Sequence, residues 1–312
     1  MPLGANRAAL MGAAGTSVAV GGAYWSGDAT TNTIDKTSFV DDASSVLSTT
    51  FSAARAYMSG ASNGAVAAYF AGGTAVLGGG NGYDVIWKLP FATESIASIT
   101  PTLSSTASEG SGCANSGTAA YWQLGRTLPD GSINSDTIDK TAFTDDATAA
   151  ITPTLSVSIR RGGAYANSGT AAYWCHDTTV IDKTLFSDDS TSALSATLSN
   201  DVNYRGGLAN SGTAGYTAFG YVMTDVINKL AFATDANAAI TPTLSSGRWG
   251  GGAAAKSGTA GYWAGGGTTG ASSSASNPID KTAFTDDATA AITPVLAVGK
   301  AEFCGSADSG TL

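Results

Sequence analysis

The chain has 312 residues, 43% of them apolar, with 40 glycines and a charged fraction of 12%, against a usual level of about 25%. Fifteen cations against 24 acids give a formal charge of −9, which argues against nucleic acid and anionic membrane surfaces as partners, because phosphate binding needs clustered Lys and Arg. One histidine, His176, and three cysteines at unrelated spacings, Cys113, Cys175 and Cys304, exclude multi-histidine metal centres, a disulfide framework and a Cys-x-x-Cys zinc site, and imply no cofactor.

In chain order, the first segment, Met1 to Trp25, places Arg7 ahead of small and apolar residues as a signal peptide would, yet it aligns with an internal repeat. No uninterrupted apolar run reaches the ~20 residues of a membrane span, so no membrane insertion is expected. From Ile34 the string "IDKTSFVDDASSVLSTTFS" opens an array. It returns as "IWKLPFATESIASITPTLS" from Ile86, "IDKTAFTDDATAAITPTLS" from Ile138, "IDKTLFSDDSTSALSATLS" from Ile181, "INKLAFATDANAAITPTLS" from Ile227 and "IDKTAFTDDATAAITPVLA" from Ile279. The leading Ile recurs at gaps of 52, 52, 43, 46 and 52.

Between these copies a second piece recurs, as in "RGGAYANSGTAAYW" from Arg161 and "RWGGGAAAKSGTAGYWAGG" from Arg248. A small-residue run, an Asn-Ser-Gly or related turn and an aromatic run make a hairpin, because Gly takes positive φ at no steric cost. Each unit therefore reads as four strands: a after the Arg, b through the Tyr-Trp, c through Ile-Asp-Lys and d through Ile-Thr-Pro-Thr-Leu. Four short strands per ~50-residue unit, six times over, predict an all-β, six-bladed β-propeller of four-stranded antiparallel blades spanning 1–312 as a single domain. The Gly and Ala excess then serves innermost strands crowded about the axis.

Arg, small apolar strand, turn, aromatic strand ending in Gly-Gly, variable loop and two further strands, as in "SGTAGYWAGG" at Ser257 to Gly266, resemble the kelch-type propeller repeat. The wording "GYWAGG…IDK…F…DD" also resembles kelch-like propeller proteins encoded by bacteriophages, which belong to the virion, its tail fibres or its host-contact apparatus. That resemblance implies a non-enzymatic, virion-associated structural or host-recognition protein, part of an oligomeric assembly. Its partners would be other virion proteins and a host surface glycan or receptor. The alternatives are a secreted or cell-surface carbohydrate-binding propeller of a bacterium and, third, an enzyme. The chain departs from the eukaryotic kelch pattern in having Thr-Pro-Thr-Leu where a late Trp stands. Kelch-like rings commonly close with a terminal strand, which here implies closure by 299–312 and an N-terminal copy at 1–15 displaced as an arm. Retention of Arg7 to Gly15 in the blade is the other arrangement.

Twelve of the fifteen cations are set by the repeat. Lys36, Lys88, Lys140, Lys183, Lys229 and Lys281 lie in strand c. Alternate residues face opposite sides of a strand, so Asp35, Asp139, Asp182 and Asp280 are expected to face Lys36, Lys140, Lys183 and Lys281 of adjoining blades in an inter-blade ladder, interrupted by Trp87 and Asn228. Arg7, Arg55, Arg161, Arg205, Arg248 and Lys300 open strand a, at the end that carries the length-variable b–c loops. There they either bind acidic or hydroxyl-rich ligands through forked donors or bond carbonyls at the blade junctions. The acid pairs Asp41-Asp42, Asp145-Asp146, Asp188-Asp189 and Asp286-Asp287 are expected to bond their own turns. Nucleophilic catalysis could use only His176 beside Cys175. Tyr121, Trp122, Tyr173, Trp174, Tyr262 and Trp263 either fill the space between blades or stack on sugars.

Overall fold

The structure is a computed structural model and describes residues 21–75, 82–127, 133–269 and 274–307. All its elements are strands. The first three are β1 (Gly22–Trp25), β2 (Thr33–Ser38) and β3 (Ser44–Thr50). Then come β4 (Ala56–Asn63), β5 (Ala67–Thr74), β6 (Ile86–Pro90) and β7 (Ala97–Ser98). The third group is β8 (Ser111–Asn115), β9 (Ala119–Gln123), a small hairpin β10 (Arg126–Thr127) and β11 (Ile133–Asn134), β12 (Ile138–Ala142) and β13 (Thr148–Ala150). The fourth is β14 (Gly163–Asn167), β15 (Ala171–Cys175), β16 (Ile181–Leu185) and β17 (Thr191–Ala193); the fifth is β18 (Gly206–Asn210), β19 (Ala214–Ala218), β20 (Asn228–Ala231) and β21 (Ala236–Ala239). The last strands are β22 (Gly252–Lys256), β23 (Ala260–Ala264), β24 (Ile279–Ala283), β25 (Thr289–Ala291) and β26 (Gly305–Ala307).

These make six antiparallel four-stranded sheets arranged as the blades of a propeller. The first blade has the order β26-β1-β2-β3, so the strand nearest the C-terminus fills the innermost slot beside the strand nearest the N-terminus. The innermost strands β26, β4, β8, β14, β18 and β22 each touch the next, and β22 touches β26, which closes the ring. The arm expected at 1–15 lies outside the described residues, as do residues 308–312 of the expected closing segment 299–312.

The small residues of the innermost strands have a geometric cause. A Cβ built at Gly60 would stand 2.4 Å from the carbonyl oxygen of Gly305 in the neighbouring blade, so the strands can approach this closely only without a side chain there. One residue out of phase, Ala61, Cys113, Tyr165, Leu208 and Ala254 are buried between blades, the period-two alternation of a strand. On strand b, Trp25, Trp122, Trp174 and Trp263 are 0–1% exposed, and each indole donates at 2.9 Å to a strand-c threonine, Thr37, Thr141, Thr184 and Thr282.

The seams between blades follow one motif throughout the ring. Tyr and Lys stand opposite each other on strands b and c, as at Tyr121 and Lys140, and together they grip the c–d turn of the next blade. Tyr24 with Lys36 meets Glu94, Tyr69 with Lys88 meets Asp146, and Tyr121 with Lys140 meets Asp189. Tyr173 with Lys183 meets Asp235, Tyr216 with Lys229 meets Asp287, and Tyr262 with Lys281 returns to Asp42. Each Tyr ring also packs on the Phe three residues before that acid, with centroids 4.9–5.3 Å apart: Phe91, Phe143, Phe186, Phe232, Phe284 and Phe39. The phenols of Tyr121, Tyr173, Tyr216 and Tyr262 are held protonated first by burial and then by the carboxylate they bond.

This corrects the expected ladder of strand-c Asp against strand-c Lys. Lys and Asp leave the strand on opposite faces, but the Lys reaches across the seam to a turn and the Asp reaches back to the d–a connection. Asp35 accepts from the Ala297 amide and pairs with Lys300, Asp280 accepts from the Ser245 amide and pairs with Arg248, and Asp182 accepts from Ser156 and pairs with His176. Among the described residues, Asp139 accepts only from the amide and hydroxyl of Ser104. The acid pairs divide their work: Asp41, Asp145, Asp188 and Asp286 bond their own turns as expected, whereas the second Asp of each pair serves the preceding blade.

The contrast between Asp280 and Asp139 is testable. Removing one partner of a fully buried ion pair costs about 3–5 kcal/mol, because the other charge is left buried alone. Burial instead pushes the Asp139 carboxyl upward, with the Ser104 bonds opposing that shift. Urea unfolding at pH 7 should show Asp280→Asn losing several kcal/mol and Asp139→Asn losing less than ~1 kcal/mol.

Candidate functional site

The b–c loops and d–a connections share one end of the ring, where isolated bridges join them, as at Tyr83 with Ala107, Ser135 with Ile159 and Trp249 with Gly267. At the axis of this loop face six equivalent residues meet: Tyr57, Glu109, Arg161, Tyr204, Gly250 and Glu302. All six have left-handed backbones, with φ between 56° and 64°. Their peptide groups form a closed ring, each N–H donating to the carbonyl of the preceding member over 2.6–3.2 Å. Positive φ places each N–H and C=O tangentially to the axis, where the neighbours can accept and donate. Glycine adopts it freely, as at Gly250, whereas the other five positions take a strained conformation that costs of order 1 kcal/mol each.

The side chains at these positions form a mixed polar and aromatic cluster. Arg161 donates to Glu109 at 2.7 Å, with Arg126 and Arg160 at 3.6 and 3.8 Å from the second oxygen of the same carboxylate. The Arg161 guanidinium lies 4.3 Å from the centroid of Tyr204. Tyr204 in turn packs on Tyr57, Tyr221 and Trp249 at 6.2, 5.7 and 4.9 Å. Glu109 and Glu302 are buried, at 3% and 4% exposure. Burial pushes the Glu302 carboxyl up to about 7, with Tyr57 and Arg161 opposing and Glu109 and Asp28 reinforcing. Burial likewise raises Tyr204 to about 12, with Arg161 and Tyr57 pulling down and the two glutamates pushing up.

The expected ligand-binding cations do not share one structural position. Arg55, Arg248 and Lys300 stand two residues before the axial ring, Arg161 on it and Arg205 one residue after. Arg248 and Lys300 have no exposure: Arg248 bonds Asp280 and the carbonyls of Gly265 and Pro278, and Lys300 bonds Asp35 and the carbonyls of Ser26 and Thr33. Arg205 donates to carbonyls of His176 and Asn200. Arg55 stacks 3.4 Å from the Tyr83 centroid and 4.8 Å from that of Trp87, the residue that replaces Asp in its blade. A ligand at the surface therefore meets Arg161 and not these four. No family model matches the chain, and no curated protein does.

The catalytic and sugar-stacking options on strand b change as well. Cys175 is fully buried and its thiol is pushed up to about 11, foremost by that burial, while His176 turns away from it to Asp182 at 3.0 Å. Burial pushes Asp182 upward, but the bonds from His176 and Ser156 hold it below the ordinary value. Tyr121, Trp122, Tyr173, Trp174, Tyr262 and Trp263 are at most 1% exposed and fill the seams. Tyr221, at 45% exposure, is the aromatic that the loop face offers instead.

Sequence reading missed Tyr57, Glu109, Tyr204, Gly250 and Glu302, though a signal was present. Each stands three residues before the close-approach position of strand a, occupied by Gly60, Gly112, Gly207, Ala253 and Gly305. That column varies in chemistry from blade to blade, while the position three residues on is Gly or Ala in every blade. A carboxyl raised from about 4.5 to about 7 holds its proton better folded than unfolded, so its stabilising effect is complete below pH ~4.5 and lost as pH rises through ~7. Thermal unfolding of Glu302→Gln should match wild type at pH 4.5 and exceed it at pH 8, by on the order of 1–3 kcal/mol; the same offset at both pH values would contradict this.

Proposed function

We propose that this protein is a non-enzymatic, kelch-like propeller of a bacteriophage virion, and that it presents its loop face to a host receptor or to another virion protein. The observation that carries the recognition role is the axial column itself. In an array whose seams repeat one motif six times, Tyr57, Glu109, Arg161, Tyr204, Gly250 and Glu302 differ from blade to blade, and five of them occupy a backbone conformation that glycine would take without strain. The b–c loops around them carry the length variation, from 176–180 to 265–278, on a constant frame, the arrangement in which binding residues are held by a rigid scaffold. Six of the repeat's lysines are engaged in seams, so the repeated charges are scaffold. The virion setting rests on the likeness of the "GYWAGG…IDK…F…DD" wording to phage propellers, and membership of a larger oligomeric assembly goes with it.

Purified particles of the phage that encodes the chain should contain it, and the isolated protein should compete with particles for host cells. Mass spectrometry of gradient-purified virions decides the first point, and absence from particles would overturn the virion reading. Adsorption assays decide the second. Competition that survives substitution at the exposed loop tip Val222 to Asp would contradict recognition through this face.

A further inference from the structure

We propose that the axis of the loop face is a binding site for a neutral, hydroxyl-rich sugar, with Tyr221 as the stacking surface and Arg161, Glu109 and Glu302 as hydrogen-bonding groups. This rests on the reading of the loop face as the recognising face and names its ligand class. Three observations carry it.

The first is the aromatic surface. Tyr221 is 45% exposed and its ring stacks on Tyr204, with centroids 5.7 Å apart and planes inclined at 30°. Trp249 meets Tyr221 in an edge-to-face contact, with ring centroids 5.7 Å apart. A planar ring fixed from behind by other aromatics presents a rigid face, and such faces take the C–H side of a pyranose at little entropic cost.

The second is unfilled hydrogen-bonding capacity in the interior. Among the described residues, Oε2 of Glu302 and Nε of Arg161 have no hydrogen-bond partner, and both residues line a cavity of ≈ 50 Å³ with Tyr57, Glu109 and Tyr204. Buried polar groups are normally satisfied, so an orphan carboxyl oxygen and an orphan guanidinium N–H on residues that line one cavity call for a group that both donates and accepts. A hydroxyl does both, and the cavity is large enough to admit one.

The third is the charge balance, which selects against an anion. Arg126, Arg160 and Arg161 surround Glu109. Asp177 lies within electrostatic reach of Arg160 and His176, Asp201 of Arg205, and Asp28 of Glu302. Five acids, Glu109, Glu302, Asp28, Asp177 and Asp201, thus stand against four guanidiniums, Arg126, Arg160, Arg161 and Arg205, leaving no positive excess to attract a carboxylate, sulfate or phosphate, and binding falls to stacking and paired hydrogen bonds.

A printed array of neutral, sulfated and sialylated oligosaccharides, probed with the full chain, tests this. Wild type should bind neutral glycans, Tyr221→Trp should retain binding, and Tyr221→Ala should lose it by ten-fold or more. Tyr221→Ala gives up the ring contacts with Tyr204 and Trp249, so its unfolding temperature should fall modestly while its circular dichroism stays that of the wild type. Thr213→Ala, on an exposed a–b turn at the opposite end, should bind as wild type does. Binding confined to sulfated or sialylated glycans, no binding to any neutral glycan, or undiminished binding by Tyr221→Ala overturns the inference. A chain found on particles that binds no neutral glycan loses this inference alone, and one that binds glycans but is absent from particles loses the virion reading alone.

Discussion

The structure depends on one interaction made at every seam: a Tyr and a Lys of one blade grip a Phe and an acid in the turn of the next. Its parts do different work. The Tyr–Phe contact removes apolar surface from water, while the carboxylate accepts from both the phenol and the ammonium; the Lys and acid side chains of these pairs are 20–32% exposed. Single pairs of such exposure contribute about 0–1 kcal/mol, so the seam gains its strength from the apolar contact and from recurrence. Because the sixth seam returns from Tyr262 and Lys281 to Phe39 and Asp42, the last blade is held to the first by the same chemistry that holds every other pair.

That recurrence explains a charge-poor chain with regularly placed cations. A second set of contacts, from strand-c Asp to the d–a connection, tolerates variation as long as partner and position change together. Asp35 faces Lys300, Asp280 faces Arg248 and Asp182 faces His176. Where Trp87 replaces the Asp, Arg55 stacks on it instead. The buried cations thus answer to their own blade and are spent on packing, which is why the loop face keeps few of them.

The propeller, the blade count and the strand order within blades were legible because each rests on local pattern: Gly-containing turns, alternating strands and a visible period. The seams were half legible. Alternation showed that Asp and Lys point to opposite faces, but it could not show how far along the next blade a lysine reaches. The spacing carries that information, since the acid stands six residues after the Lys in all six units, and the Phe three, even where the Asp-Asp pair is lost at Glu94 and Asp235. The axial column escaped notice because its meaning is collective. Nothing in Tyr57 or Glu302 alone signals a left-handed residue on an axis; six chain segments far apart in sequence must close before that position exists. Nor does the Arg mark one position in every blade, because Arg161 and Arg205 occupy positions different from Arg55 and Arg248.

The axial peptide ring therefore joins scaffold to function: it closes only if all six blades are in place, and it holds the side chains that recognition would use. Amide hydrogen exchange at Tyr57, Glu109, Arg161, Tyr204, Gly250 and Glu302 measures this directly. The expected result is six amides that exchange together, at the rate of global unfolding. Independent exchange, with Glu302 and Tyr57 opening far sooner than Glu109 and Arg161, would contradict a closed ring and leave the axis without the rigid frame on which the site depends.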